Sequence, residues 1–396
     1  MEVLIWAEFI VTITVLMIVA RKSLWLALAL SSLVLGLIAV PFGDLSVLVF
    51  ETITDPPVVL LAISVGLIAM IGGALEITGL INQLMDNTSL GRRSALVVLP
   101  AMLGMLPIPG GALLSAPIVK KAGGGAAGDL KVSINVWSRH IALLFYPLGS
   151  LLATTKMAGV NLYQAVLYLL PGLVLTVVLI WIFLLRKVEG GKMNHGEKYR
   201  RKALLPVVLI LIAPAIHASL MYMFPSAMEE VFLFVGVCVS LALIMLIKGK
   251  GARFLVPVAL KMKAWNFALI ILGLFVFLKV FNASDSPDAI ASLPLSRPLM
   301  VVLAGGFLGI VTGRVNVPIS VMLPILSTAA YPEIGIITFS ILFFAVFIGY
   351  LISPVHPCVS VSLEYFRTDY ISMLKRTIVP ALIAWAFTMA AAFILI

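Results

Sequence analysis

Charge is scarce in this chain: of 396 residues only 11% are Asp, Glu, Lys or Arg, against 62% hydrophobic. A sequence so poor in charge cannot face water over its whole surface, and a soluble fold is excluded. Cysteine is scarcer still. Cys238 and Cys358 lie far apart inside apolar runs and give neither a disulfide framework nor a metal-ligand spacing, so no metal is expected. Acidic residues number 17 against 27 basic ones, but the basic excess sits in short loops beside apolar runs, which argues against a nucleic-acid partner. There is no Gly-x-x-x-x-Gly-Lys-Ser/Thr loop to hold a nucleotide, so ATP is not the energy source. No Gly-x-Ser-x-Gly elbow or metal-ligand His motif supports catalysis, and the chain is not expected to be an enzyme. The first apolar run carries Glu8 and has neither a basic n-region nor a small-residue cleavage site, so it reads as a retained span.

What is present is apolar sequence of membrane length. A helix crosses a bilayer with about 20 apolar residues, and the pattern predicts an all-α membrane protein with ten spans: 3–20, 24–40, 58–80, 133–158, 164–185, 203–224, 231–247, 264–281, 336–359 and 377–396. Two apolar segments are left, 94–119 and 298–330, each interrupted by Gly and Pro near its middle. Such interruption suits a re-entrant hairpin that enters and leaves on one side.

Charge tests that assignment, because it fixes the side of every loop. With both hairpins re-entrant, most of the basic residues, including Arg92, Arg93, Lys120, Lys121, the cluster from Arg186 to Lys202 and that from Lys248 to Lys263, collect on one side. The other side receives Asp44, Glu51, Asp55, Glu229, Glu230, Asp285, Asp288 and Glu333. Both termini then face outside a cell or inner membrane.

Proline spacing shows an internal repeat, since proline marks helix breaks. Pro117 and Pro147 are 30 residues apart, as are Pro324 and Pro354. Tyr146-Pro147-Leu148-Gly149-Ser150 then corresponds to Ser353-Pro354-Val355-His356-Pro357. Residues 1–185 form a first repeat and 203–396 a second, joined by a cytoplasmic linker at 186–202. Five spans and one hairpin per repeat is an odd number of crossings, so the second repeat is inverted relative to the first. The links around Ile81, Leu84 and Met85 and from Ser284 to Leu293 read as short interfacial helices or as plain loops.

On these residues, above all the Pro107-Ile-Pro-Gly-Gly-Ala tip and its partner around Asn316 to Ser320, the chain resembles the ion transporter superfamily of gluconate permeases and citrate and dicarboxylate carriers. It is most similar to an uncharacterised, DUF401-like integral-membrane family. The resemblance covers nearly the whole chain. It implies a scaffold domain, a mobile domain of hairpins and broken helices that carries substrate as an elevator, and a homodimer. The Ser-Asn-Thr motif of the dicarboxylate carriers is missing from both tips, and of its amides only Asn316 has a counterpart.

The expected function is a secondary carrier of a small organic anion, with H+ or Na+ as coupling ion, no other cofactor, and the lipid bilayer as its surroundings. Half-helix N-termini at 109–112 and 316–320 would present backbone N–H groups and a positive dipole end to an anion. Pro109, Gly110, Gly111, Ser115, Ser150, Arg314, Asn316, Ser320 and Ser353 are the candidate substrate ligands. Ionisable groups at membrane depth are costly and mark function, which adds Arg139, His140, His356 and Glu76 as coupling groups. Arg139 read instead as a residue snorkelling to the basic side, Glu76 as half of a structural ion pair, and His217 as a packing residue are the bland alternatives. Three other functions are weighed: a cation/proton antiporter using Glu76, a membrane-embedded hydrolase using Ser353 with His356 or Ser115 with His140, and a passive channel.

Overall fold

The computed structural model describes residues 2–87, 90–108, 111–191, 200–327 and 334–396, and among them it contains helices and no strands. The first half runs α1 (Glu2–Ala20), α2 (Leu24–Ala39), α3 (Phe42–Thr54), α4 (Pro56–Ile77), α5 (Leu80–Asp86), α6 (Arg92–Gly104), α7 (Gly111–Gly123), α8 (Gly128–His140), α9 (Ser150–Ala158) and α10 (Leu162–Leu179). The second runs α11 (Arg200–Met223), α12 (Glu229–Ile247), α13 (Leu255–Met262), α14 (Ala264–Asn282), α15 (Ser286–Ala291), α16 (Arg297–Leu299), α17 (Gly305–Thr312), α18 (Asn316–Leu326), α19 (Ile336–Ile352), α20 (Pro357–Phe366) and α21 (Tyr370–Leu395). A π turn over Met300–Ala304 joins α16 to α17 as one helix.

Among the described residues, seven helical stretches are long and apolar enough to cross a bilayer: Pro56–Ile77, Leu162–Lys187, Ala203–Met223, Glu229–Ile247, Ala264–Asn282, Ile336–Phe366 and Tyr370–Leu395. The chain is therefore a multi-pass membrane protein. Three of the ten expected spans fall short of that length. Ile5–Ala20 and Leu24–Ala39 are shorter apolar helices, and 133–158 is divided between α8 and α9 with a 3₁₀ turn and a non-helical stretch between them. Lipid exposure is visible in the packing: the apolar face of α10 leaves Leu167 and Val174 exposed, and that of α21 leaves Leu382, Phe387 and Phe393 exposed, where only lipid is a fitting solvent.

Counting α16 and α17 as one helix, both halves follow one order: two long helices, a short one, a long one, a short one, a helix pair, a broken helix and a long closing helix. Their contacts are reciprocal. α2 packs on α14 as α12 packs on α4, α5 on α11 as α15 on α1, and α7 on α20 as α18 on α9, while α4 and α14 pack on each other. The links expected near residues 81–85 and 284–293 are the helices α5 and α15. The helices α3 and α13 are additional to the expected spans and links. Each leaves large apolar residues exposed, Phe42 and Phe50 on α3 and Val256 and Leu260 on α13, as a helix lying in the membrane interface does.

Two helix starts near the loops are capped by side chains. Asn161 Oδ1 accepts from the backbone N–H groups of Tyr163 and Gln164 at 3.0 Å, and removing this cap by Asn161→Ala is expected to cost about 1 kcal/mol, read as a lower unfolding midpoint in detergent. Asp369 caps α21 by accepting from Ser372 N–H at 2.9 Å and from its hydroxyl at 2.6 Å. These bonds hold its carboxyl below the ordinary carboxylate value. A depressed folded value means that the cap is fully present above the ordinary carboxyl range and is lost as pH falls through the folded value. Thermal scans of Asp369→Asn against the parent chain should therefore differ at neutral pH and converge in acid.

Candidate functional site

The two broken helices and the two helix pairs meet in the interior. α19 stops at Ile352, and His356 is the N-cap of α20, whose first position is Pro357; proline cannot donate to a preceding turn, so the break falls where Pro354 and Pro357 remove two donors. α7 starts at Gly111 and α18 at Asn316, the half-helix starts expected of the hairpin tips. Of the tip residues, Pro109 and Gly110 lie outside the described residues.

Arg139 is the centre of the first tip. It is 5% exposed, and its Nη1 donates to the Gly111 carbonyl at 3.0 Å, so the snorkelling alternative does not describe it. The fit depends on glycine, because a Cβ on residue 111 would lie 2.1 Å from Arg139 Nη2. Beside it, Asn135 donates to the Ala112 carbonyl at 3.2 Å and to Ser362 Oγ at 3.0 Å, tying α8 to α7 and α20. Its Oδ1 is buried without a partner.

The second tip closes on the second break. Gly313 has φ +58, and a Cβ there would lie 2.8 Å from His356 N and 3.0 Å from Ser353 Oγ; a left-handed backbone pressed against another main chain requires glycine. The Ser353 hydroxyl donates to the Ile310 carbonyl. Asn316 Oδ1, at the start of α18, is a second buried amide oxygen without a partner.

Between the tips lie His140 and His356, with ring centroids 4.6 Å apart. His356 is fully buried and stacks on Tyr350 at 3.9 Å. Cys358 completes the group, its thiol in contact with the Arg139 guanidinium, and one ligand atom from each of His140, His356 and Cys358 lies within 4.8 Å of the others. Among the described residues, no carboxylate acts on Arg139, His140, His356 or Cys358. The interior is thus cationic, hydrogen-bonding and unneutralised, which is suited to a buried anion.

The other candidates are placed differently. Arg314, half-buried, donates from Nη2 to the Ala20 carbonyl at the end of α1 at 3.1 Å, and lines a cavity with Leu16, Met17, Arg21, Val317 and Val355; it joins the second tip to α1, and its charge acts on His356. Glu76 is outside the cluster, paired with Lys261 of α13 at 3.0 Å, as the structural alternative had it. Ser115 and Ser320 are buried and donate within their own helices, to Ala112 and Val317 carbonyls at 3.2 and 2.8 Å. Ser150 opens α9. His217 is buried and bonded to the Tyr163 hydroxyl at 2.8 Å, a packing residue. Neither hydrolytic pair is assembled as nucleophile and base: the serines donate to carbonyls, and the histidines turn Nδ1 to the carbonyls of Val136 and Tyr350.

One constellation escaped the sequence reading. Lys156 of α9 pairs with both Glu229 and Glu230 of α12, and Glu230 is 3% exposed. The signal was two adjacent acids at the start of an apolar helix, read only as loop charge. Breaking a buried pair strands a charge, so Lys156→Ala is expected to destabilise the protein by about 3 kcal/mol. Glu230→Gln combined with it should recover part of that loss, and thermal unfolding of the three variants measures both.

A model of a protein family of unknown function, DUF401, matches residues 4–396. A search of the curated proteins finds no match.

Proposed function

The chain belongs to the DUF401 family, whose function is unknown, and we propose that it is a secondary carrier of a small organic anion, in the wider ion transporter superfamily. The observation that carries this reading is the buried Arg139 guanidinium beside the His140 and His356 rings, at the meeting of two hairpin tips and a helix break, with no carboxylate among the described residues acting on it. A membrane protein holds an uncompensated guanidinium at depth only against a strong opposing gain, and a bound carboxylate supplies one.

In this reading the chain has ten spans and two re-entrant hairpins in two inverted repeats, and the reciprocal contacts between the halves are those of a pseudo-two-fold. Helices α1–α5 with α11–α15 form the scaffold, and α6–α10 with α16–α21 move against it. The protein sits in the cell membrane with both termini outside. The histidine pair, with protonation free to change on substrate arrival, serves proton coupling; the unpartnered Asn135 and Asn316 oxygens are the groups open to a sodium ion instead. The two serine arrangements favour a carrier over a hydrolase.

Uptake by proteoliposomes tests the function: organic acids of increasing size, offered under pH and sodium gradients, should include one that accumulates. Failure of every acid under both gradients refutes the proposal. Topology is tested by cysteine labelling, where residues flanking 94–119 should react from the same compartment, and likewise those flanking 298–330.

A further inference from the structure

We infer that His140, His356 and Cys358 form a binding site for a soft monovalent metal ion of the copper(I) type. The inference does not rest on the carrier reading, since it concerns only what these three side chains hold.

The two rings are already set as ligands. His140 Nδ1 lies 2.6 Å from the Val136 carbonyl and His356 Nδ1 3.1 Å from the Tyr350 carbonyl. A carbonyl only accepts, so in each neutral ring Nδ1 carries the proton and Nε2 presents its lone pair. That is the arrangement in which a metal-ligating histidine is fixed from behind by a backbone carbonyl. His356 Nε2 is fully buried and has no hydrogen-bond partner, a group that burial makes costly unless something fills its lone pair. The Tyr350 ring, stacked at 3.9 Å on His356, fixes the plane of that imidazole. One nitrogen of each ring and the Cys358 sulfur lie within 4.8 Å of one another. Metal bonds of about 2.0 Å to nitrogen and 2.3 Å to sulfur would bring donors to about 3.5 Å of each other, so closure takes a shift of about 1 Å.

Donor type and charge choose the ion. Two imidazoles and one thiolate form the three-coordinate set that suits copper. Charge then separates monovalent from divalent. The Arg139 guanidinium acts on the thiol, both Arg139 and Arg314 act on His356, and no carboxylate among the described residues acts on the cluster. A monovalent ion that replaces the thiol proton leaves the positive charge of the interior as it is in the metal-free site. A divalent ion raises it by one, and the cost of a buried charge rises steeply with its size.

The test uses the full chain in detergent, loaded with Cu(I) under anaerobic conditions and then passed over a competing Cu(I) chelator, with retained copper measured per chain. One copper should remain on the parent protein and on Cys238→Ser, and none on Cys358→Ser or His356→Gln. X-ray absorption at the copper edge of the parent protein should show one sulfur and two nitrogen neighbours, a readout independent of whether the variants fold. No copper retained by the parent chain, equal retention by Cys358→Ser, or a shell of sulfur alone would overturn the site. Zn(II) retained at the same stoichiometry would overturn the choice of a monovalent ion.

Discussion

Arg139→Gln is expected to lower anion uptake about a hundredfold, with the protein still folded. Glutamine is able to keep a single bond to the Gly111 carbonyl, now made by Arg139 Nη1 at 3.0 Å, but it carries no charge and no fork. A charge-assisted hydrogen bond in a buried setting is worth about 1.5–3 kcal/mol, and 2.7 kcal/mol is about a hundredfold in affinity. Arg139→Lys keeps the charge without the planar fork and should fall between the two. Gly111→Ala should act like Arg139→Gln from the opposite side, because its Cβ would displace the guanidinium by contact at 2.1 Å. Glu76→Gln is the discriminating control. Glu76 pairs with Lys261 away from the cluster, so its neutralisation should leave uptake near the parent rate. Normal transport by Arg139→Gln together with loss in Glu76→Gln would reverse the argument and favour cation/proton antiport.

The second large effect concerns stability. Gly349→Ala is expected to destabilise the chain by roughly 3 kcal/mol, at the upper end of the usual cost of overpacking. Its Cβ would lie 2.1 Å from the Gly306 carbonyl and 3.0 Å from Ile310 N, and a Cβ on Gly309 would lie 2.4 Å from the Val346 carbonyl. These contacts are backbone on backbone, so no side chain can turn aside and α17 and α19 must separate. Small residues four apart on both helices, Gly305 with Gly309 and Ala345 with Gly349, are what membrane helices use to approach so closely. The same displacement would pull Ser353 from the Ile310 carbonyl and move Tyr350 with it, so uptake should fall along with the unfolding midpoint. Gly43→Ala, where a Cβ meets nothing within 4 Å, should leave the midpoint unchanged or slightly raised, since alanine is the better helix former.

Much of the site's skeleton is readable from residues taken one at a time. The break at Pro354, the start of α7 at Gly111 and the start of α18 at Asn316 follow from proline lacking a donor and glycine lacking a side chain, properties that need no partner. The helices α3 and α13 were not readable, because a short helix with charged residues among apolar ones, such as Asp44 and Glu51 on α3, looks like a polar link until an interface is there to receive it. The cluster of His140, His356 and Cys358 was invisible to spacing rules for a plainer reason: its members come from α8 and α20, in different halves of the chain.

The sequence by itself determined that this chain belongs in a membrane and where its helices break, because apolar length, charge scarcity and proline act locally. It could not determine what faces what. Whether Arg139 reaches for the basic side or for the Gly111 carbonyl, and whether Glu76 serves coupling or pairs with Lys261, depends on which helices pack together across the two halves. Only tertiary structure decides that, since a buried charge takes whichever partner the packing brings within a few ångströms.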